Sequence, residues 1–300
     1  MSPVCPSPET AVPVSGTAPV TGGVAAGLPR PVYDGRLRRS TRAAVGGLLV
    51  LAILNAVFLY GFPGQAAHYY AWNITPAASA AFRGAGYLAG VVATALVVFV
   101  AQRWRSIQPL AVALLVLSIG LLAATLLHTD RFKWHYSPTW GWTAVYALAP
   151  IGVLVLGARQ RAVTLRPVLS DPRLDLLRRC SLVAGVLLGG YAIALFALPT
   201  ELGAHWPWPL TPLLAQAVAS WLAMIAAALL WSAYDLRRTS EAFIPYATLG
   251  AWCLALLALP ALHAGDLTDT GAPLLLYLGA LTALLALAGL GVTRAGRLSL

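Results

Sequence analysis

The chain is short of charge. Only 10% of its 300 residues are Asp, Glu, Lys or Arg, and only ten are acidic. A soluble globular domain carries about 25% charged residues, so that class is excluded. Lysine is almost missing: Lys133 is the single one, and the net charge of +10 rests on arginine. Cysteine is scarce too, with Cys5, Cys180 and Cys253 the only three. No Cys-x-x-Cys spacing occurs, which excludes a disulfide framework and leaves Cys180 and Cys253 as small hydrophobes. The common catalytic signatures are missing: no G-x-S-x-G, no H-E-x-x-H, no glycine-rich phosphate loop after a strand, no cysteine–histidine nucleophile pair.

What fills the chain instead is apolar, 59% of it. Eight long runs stand out, at about 43–61, 84–101, 109–127, 141–158, 180–198, 212–231, 244–262 and 273–292. Each is long enough to cross roughly 30 Å of hydrocarbon at about 1.5 Å per residue. None has the polar face a soluble helix needs. None contains Asp or Glu, so a proton relay of membrane-buried carboxylates has no parts here.

The arginines set a topology. Arg36, Arg38, Arg39 and Arg42 precede the first run, and Arg103 and Arg105 follow the second. Arg159, Arg161, Arg166, Arg173, Arg178 and Arg179 lie between the fourth and fifth. Arg237 and Arg238 lie between the sixth and seventh, and Arg294 and Arg297 follow the eighth. Only Arg83, Arg131 and Lys133 fall on the other side. By the positive-inside rule both termini are cytoplasmic, and the host membrane is the cell membrane. This alternation reads as topology rather than as a nucleic-acid surface. Residues 1–42 are rich in Pro, Ser, Thr and Gly and read as a disordered cytoplasmic tail. Residues 159–179 read as an Arg-rich linker, and 294–300 as a cytoplasmic C-terminus.

The stretch from Pro63 to Gly86 recurs in degraded form. Pro63, Trp72, Thr75 and Pro76 find identical residues 136 positions on, at Pro199, Trp208, Thr211 and Pro212. His128 and His263 correspond at an offset of 135. The chain therefore reads as two four-helix repeats, 43–158 and 180–293, each with an even number of spans and hence in the same orientation. Thr75-Pro76 and Thr211-Pro212 are helix-start signals, a capping hydroxyl followed by proline at the first helical position. The segment Ala71-Trp72-Asn73-Ile74-Thr75-Pro76, with Ser79-Ala80-Ala81-Phe82 and Gly84-Ala85-Gly86-Tyr87, resembles a motif of uncharacterised bacterial multi-span membrane proteins. That resemblance covers about twenty residues and implies a family without a known activity.

Arg83 is the unusual charge. A helix beginning near Pro76 puts it roughly 10 Å along the axis. Such a cation needs a carboxylate, a wet cavity or an anionic ligand, unless the first turns protrude and leave it at the interface. Asp130, Glu201 and Asp266 are the carboxylates on its side. Asn55 and Gln216 are the polar residues placed to face a cavity, and Trp72 and Trp208 flank the helix starts. All five histidines fall on this side as well: His68, His128, His135, His205 and His263. Two of them with two carboxylates, His128, His263, Asp130 and Asp266, could bind a transition metal or serve a haem, although their spacing matches no ligand motif.

The sequence thus predicts an all-α membrane protein of eight transmembrane helices in two parallel repeats. The first functional expectation is a permease or channel-like transporter of a small solute; whether the chain is also an enzyme the sequence leaves open, leaning against. Arg83, Asn55, Gln216, Trp72 and Trp208 would line its substrate site. Two alternatives stand beside it: an outward metal- or haem-binding redox protein, and a non-catalytic envelope scaffold. The lipid bilayer is the expected partner, and nucleic acid is not.

Overall fold

The computed structural model describes residues 36–160 and 171–295. The expected tail as far as residue 35, the middle of the linker and the last five residues lie outside them. The described chain is all-α. Its helices are α1 (Arg39–Ala56), α2 (Ala66–Tyr69), α3 (Ala77–Phe99), α4 (Gln108–Leu127), α5 (Ser137–Gln160), α6 (Asp175–Ala197), α7 (Pro199–Gly203), α8 (Pro212–Asp235), α9 (Phe243–Leu262) and α10 (Ala272–Arg294). All but the short α2 and α7 are, with their adjoining turns, long and apolar enough to cross a membrane, which makes eight candidate spans among the described residues. No strand occurs among the described residues; two isolated bridges, Arg36 with Arg103 and Trp72 with Phe132, tie loops together.

The core sits where α8 and α9 meet α3 and α4. α3 packs on α9, and α4 packs on α8. Around these four lie α1 against α3, α5 against α4, α6 against α8 and α10 against α9. The outer helices turn leucine, isoleucine and valine outward, as with Val50 and Leu54 on α1, Leu148 and Leu154 on α5, Leu187 and Ile193 on α6, and Leu275 and Leu276 on α10. In water such faces would drive aggregation; in a bilayer they match the solvent.

Helix starts recur at fixed spacing. Moving α1 and α3 on by 136 residues, or α4 and α5 by 135, reaches the starts of α6, α8, α9 and α10 to within one residue. Contacts recur as well. The Arg42 guanidinium on α1 donates to the Val98 and Ala101 carbonyls at the end of α3, and that of Arg178 on α6 donates to the Ala233 carbonyl near the end of α8, at 2.9 Å. Free carbonyls at a helix C-terminus carry partial negative charge, which a cation satisfies. His128 and His263 end α4 and α9 with nearly the same backbone, φ −128°, ψ 40° and φ −127°, ψ 41°.

The two helix starts expected to be alike are not. Thr211 caps α8, its hydroxyl accepting from the Leu214 amide at 3.3 Å. Thr75 caps nothing, because α3 begins at Ala77 with Pro76 in the cap position and no side-chain bond from it. A distant carboxylate takes that role: Asp266 accepts from the Ala78 amide at 2.8 Å.

Two glycines of the motif serve close approach. α1 runs on into a π turn, Val57–Gly61, whose backbone lies on α3. A Cβ on Gly84 would come within 2.4 Å of the Tyr60 amide nitrogen, and one on Gly86 within 2.4 Å of the Trp221 ring.

At the other end of the bundle a charge network joins the α3–α4 loop to the α8–α9 loop. Arg105 donates to Glu241 at 3.0 Å and to the Asp235 carboxylate at 3.2 Å. Glu241 also accepts from the Arg237 and Arg238 amides at 3.0 and 3.2 Å.

Candidate functional site

Arg83 lies in the second turn of α3 and is 1% exposed. The first turns of α3 are packed, and the guanidinium lies inside the protein. None of its three nitrogens has a hydrogen-bond partner among the described protein groups. The three carboxylates on its side are engaged elsewhere. Asp130 pairs with Arg131 on the surface, Glu201 accepts from the Thr200 hydroxyl, and Asp266 caps α3.

What surrounds Arg83 is aromatic. Its guanidinium carbon lies 4.5 Å from the centre of the Trp72 ring. Trp72 is held edge-on by Tyr70 and Trp142 and packs on Phe132, with ring centres 4.8 to 4.9 Å apart. The phenols of Tyr70, Tyr87 and Tyr146 are the ionisable groups that act on the Arg83 charge. Tyr87 and Tyr146 share a hydrogen bond of 2.7 Å between hydroxyls. Tyr70, on the loop before α3, is fully enclosed; burial first, and the neighbouring Tyr87 second, push its phenol well above the usual range, so it stays neutral. The Tyr70 hydroxyl and the Trp72 indole N–H find no geometric hydrogen-bond partner. The cage therefore holds donors in excess and no carboxylate.

The loops that build this cage lock each other. The Lys133 amide donates to the Ala71 carbonyl at 2.9 Å. The Thr139 hydroxyl reaches the Lys133 carbonyl at 2.7 Å. These bonds fix Tyr70 and Trp72 over α3 and bring the first turns of α5, with Trp142, against them.

A cavity of about 720 Å³ lies on the other side of the phenols. Tyr70, Tyr87, Tyr146 and Trp142 form part of its wall. The rest is mostly apolar, with Asn55 and scattered Ser and Thr hydroxyls, from α1, α3, α4 and α5 with α8 and α9 behind. Asn55 lines it, though its amide N–H is spent on the Leu51 carbonyl one turn back at 2.9 Å.

Of the five residues expected at a substrate site, Arg83 and Trp72 are in contact and Asn55 lines the neighbouring cavity. Gln216 is elsewhere, bonded to the His128 ring at 2.9 Å and to the Phe196 carbonyl at 3.1 Å. Trp208 belongs to a second aromatic cluster with Trp206 and Tyr277 and donates to the Ser79 hydroxyl at 3.1 Å. The four expected metal ligands do not gather: His128 is held by Gln216, and His263 faces Asp266 at 4.0 Å. Among the described residues no three His, Cys, Asp or Glu side chains stand close enough to share a metal ion. Sequence reasoning did not assign Tyr70, Tyr87, Tyr146 or Trp142 to the substrate site. The nearness of Tyr70 to Trp72 and of Tyr87 to Arg83 along the chain was the signal for two of them.

The arrangement can do one thing chemically. It sets a buried guanidinium, with no hydrogen-bond partner among the described protein groups, against the face of an aromatic ring. No protein-family model matches the chain, and neither the curated proteins nor the solved structures contain a match to it.

Proposed function

We propose that this polytopic membrane protein is a permease whose solute carries an anionic group, and that Arg83 receives that group. The observation that carries the reading is the buried guanidinium without a hydrogen-bond partner. Magnitudes support it. Leaving a charge buried and uncompensated costs several kcal/mol, whereas a desolvated cation–π contact returns only about 2 kcal/mol. Trp72 therefore does not offset the cost alone, and an oxyanion accepting two or more N–H bonds would. Arginine suits that task, since its planar fork matches a carboxylate or phosphate and keeps its charge when buried.

The same reading takes the chain as an internal duplication with both termini cytoplasmic. The recurring helix starts, the paired Arg42 and Arg178 contacts and the matched ends of α4 and α9 support the duplication. The arginine distribution supports the orientation. The duplication is unequal at the site: the position 136 after Arg83 is Ala219, and that after Tyr87 is Ala223. One copy keeps the cation and the other does not, so the site is single.

The test is binding to the full chain in neutral-lipid nanodiscs, read by tryptophan fluorescence. The probes are acetate and inorganic phosphate, each with and without an alkyl chain. At least one probe should give a saturable response that Arg83→Gln loses while the variant stays folded. A response identical in Arg83→Gln, or none from any probe, overturns the reading. Uptake of the bound probe into proteoliposomes then separates a permease from a static binder.

A further inference from the structure

The peripheral helices of the two halves do not close alike. α6 packs against α10. Their counterparts α1 and α5 are not packed on one another in that way; they meet at the arginine-rich end, where the Gln160 amide donates to the Thr41 hydroxyl at 2.9 Å. The apolar cavity fills the resulting gap. On α3 it runs from Gly86 to Val97, roughly 16 Å at the helical rise. Small residues on that face, Ala89, Gly90 and Ala93, leave the room. At one end of this groove stand the phenols that shield Arg83.

From this geometry we infer that the solute is an amphiphile, an oxyanion headgroup carrying a hydrocarbon chain. Its head reaches Arg83 past the Tyr87–Tyr146 pair, and its chain lies in the groove between α1 and α5. The inference rests on the Arg83 reading and names the solute class for it. Charge complementarity selects the head, because a neutral lipid leaves the guanidinium unmatched. The apolar wall selects the chain, because a small hydrophilic anion gains nothing from it. The gap between two helices that face lipid gives a sideways entry that avoids water. A membrane phospholipid and a free single-chain amphiphile share this chemistry.

The experiment compares dodecyl phosphate, inorganic phosphate and dodecanol on the full chain in phosphatidylcholine nanodiscs, read by tryptophan fluorescence. Dodecyl phosphate should bind at least tenfold more tightly than inorganic phosphate, and dodecanol should not compete with it. Gly152→Leu supplies the second arm. Gly152 lines the groove, and a Cβ there meets nothing within 4 Å, so a side chain added at this position starts in open space. That variant should weaken dodecyl phosphate by tenfold or more and leave inorganic phosphate unchanged. Equal affinity for the two phosphates, unaltered by Gly152→Leu, overturns the amphiphile and leaves the Arg83 site standing. Dodecanol binding as well as dodecyl phosphate overturns the headgroup assignment. No Arg83-dependent response to either phosphate overturns the phosphate amphiphile, and none to acetate or its alkyl form either overturns the Arg83 reading as well. Phosphatidic acid added to the nanodiscs separates the sources: competition with dodecyl phosphate assigns a membrane lipid, and none assigns a free amphiphile.

Discussion

Arg83 is the residue on which the site depends, and its energetics are unusual enough to measure. A buried charge that is bonded by its surroundings stabilises a fold, and removing it is costly. One that is not bonded does the reverse: its burial opposes folding, so an apolar residue of similar volume is neutral or stabilising. Arg83→Met should therefore hold or raise thermal stability while abolishing anion binding. The buried Cys253 thiol, fully enclosed in the core, reports unfolding through a thiol-reactive dye. A variant destabilised by several kcal/mol would show instead that Arg83 is a structural residue. The position of Arg83 was legible in the sequence, since one arginine interrupts a helix pattern on the side that otherwise avoids charge. Its burial was not. Trp72 packs over it only because the Lys133 and Thr139 bonds pull two loops together across more than sixty residues, and no local pattern carries that information.

At the scale of the element, the helix starts teach the same lesson with a sharper contrast. Thr75-Pro76 and Thr211-Pro212 read alike, yet only Thr211 caps its helix. Replacing a working N-cap by alanine costs roughly 1 kcal/mol. Thr211→Ala should lose about that much. Asp266→Ala should lose as much or more, because it also removes the tie between the end of α9 and the start of α3. Thr75→Val should be near neutral, since Thr75 is exposed and caps nothing. Thermal denaturation of the three variants decides it, and a costly Thr75→Val would restore the sequence-level cap. The helices themselves were legible because length and apolarity mark them without any knowledge of partners. Hydropathy alone opens the second run at 84, and the Thr75-Pro76 signal is needed to place the start of α3 near Pro76, because most of Ala77 to Arg83 is small or polar.

Across the whole molecule, the two halves are joined at one end by apolar and aromatic packing and at the other by charge. The network there has Arg105 from the first half meeting Glu241 and Asp235 from the second. Glu241 is enclosed, with its side chain 6% exposed, whereas that of Arg105 is 39% exposed. The pair therefore belongs between the surface and buried limits, and solvent screening lowers its coupling to about 1 kcal/mol. Removing the two partners should not be equivalent. Arg105→Met leaves Glu241 its bonds from the Arg237 and Arg238 amides, so the carboxylate stays compensated. Glu241→Ala strands those amides and frees Arg105 from one partner together, so it should cost more, by about 1 kcal/mol or above. The double variant should then cost less than the sum of the two single variants, because the Arg105–Glu241 bond is lost only once, while the bond from Arg105 to Asp235 still adds its share. Thermal unfolding of the two single variants and the double one measures this. A cost from Arg105→Met equal to that of Glu241→Ala, or strict additivity, would show that the bridge does not join the halves energetically and that packing of α3 on α9 and α4 on α8 carries the interface by itself.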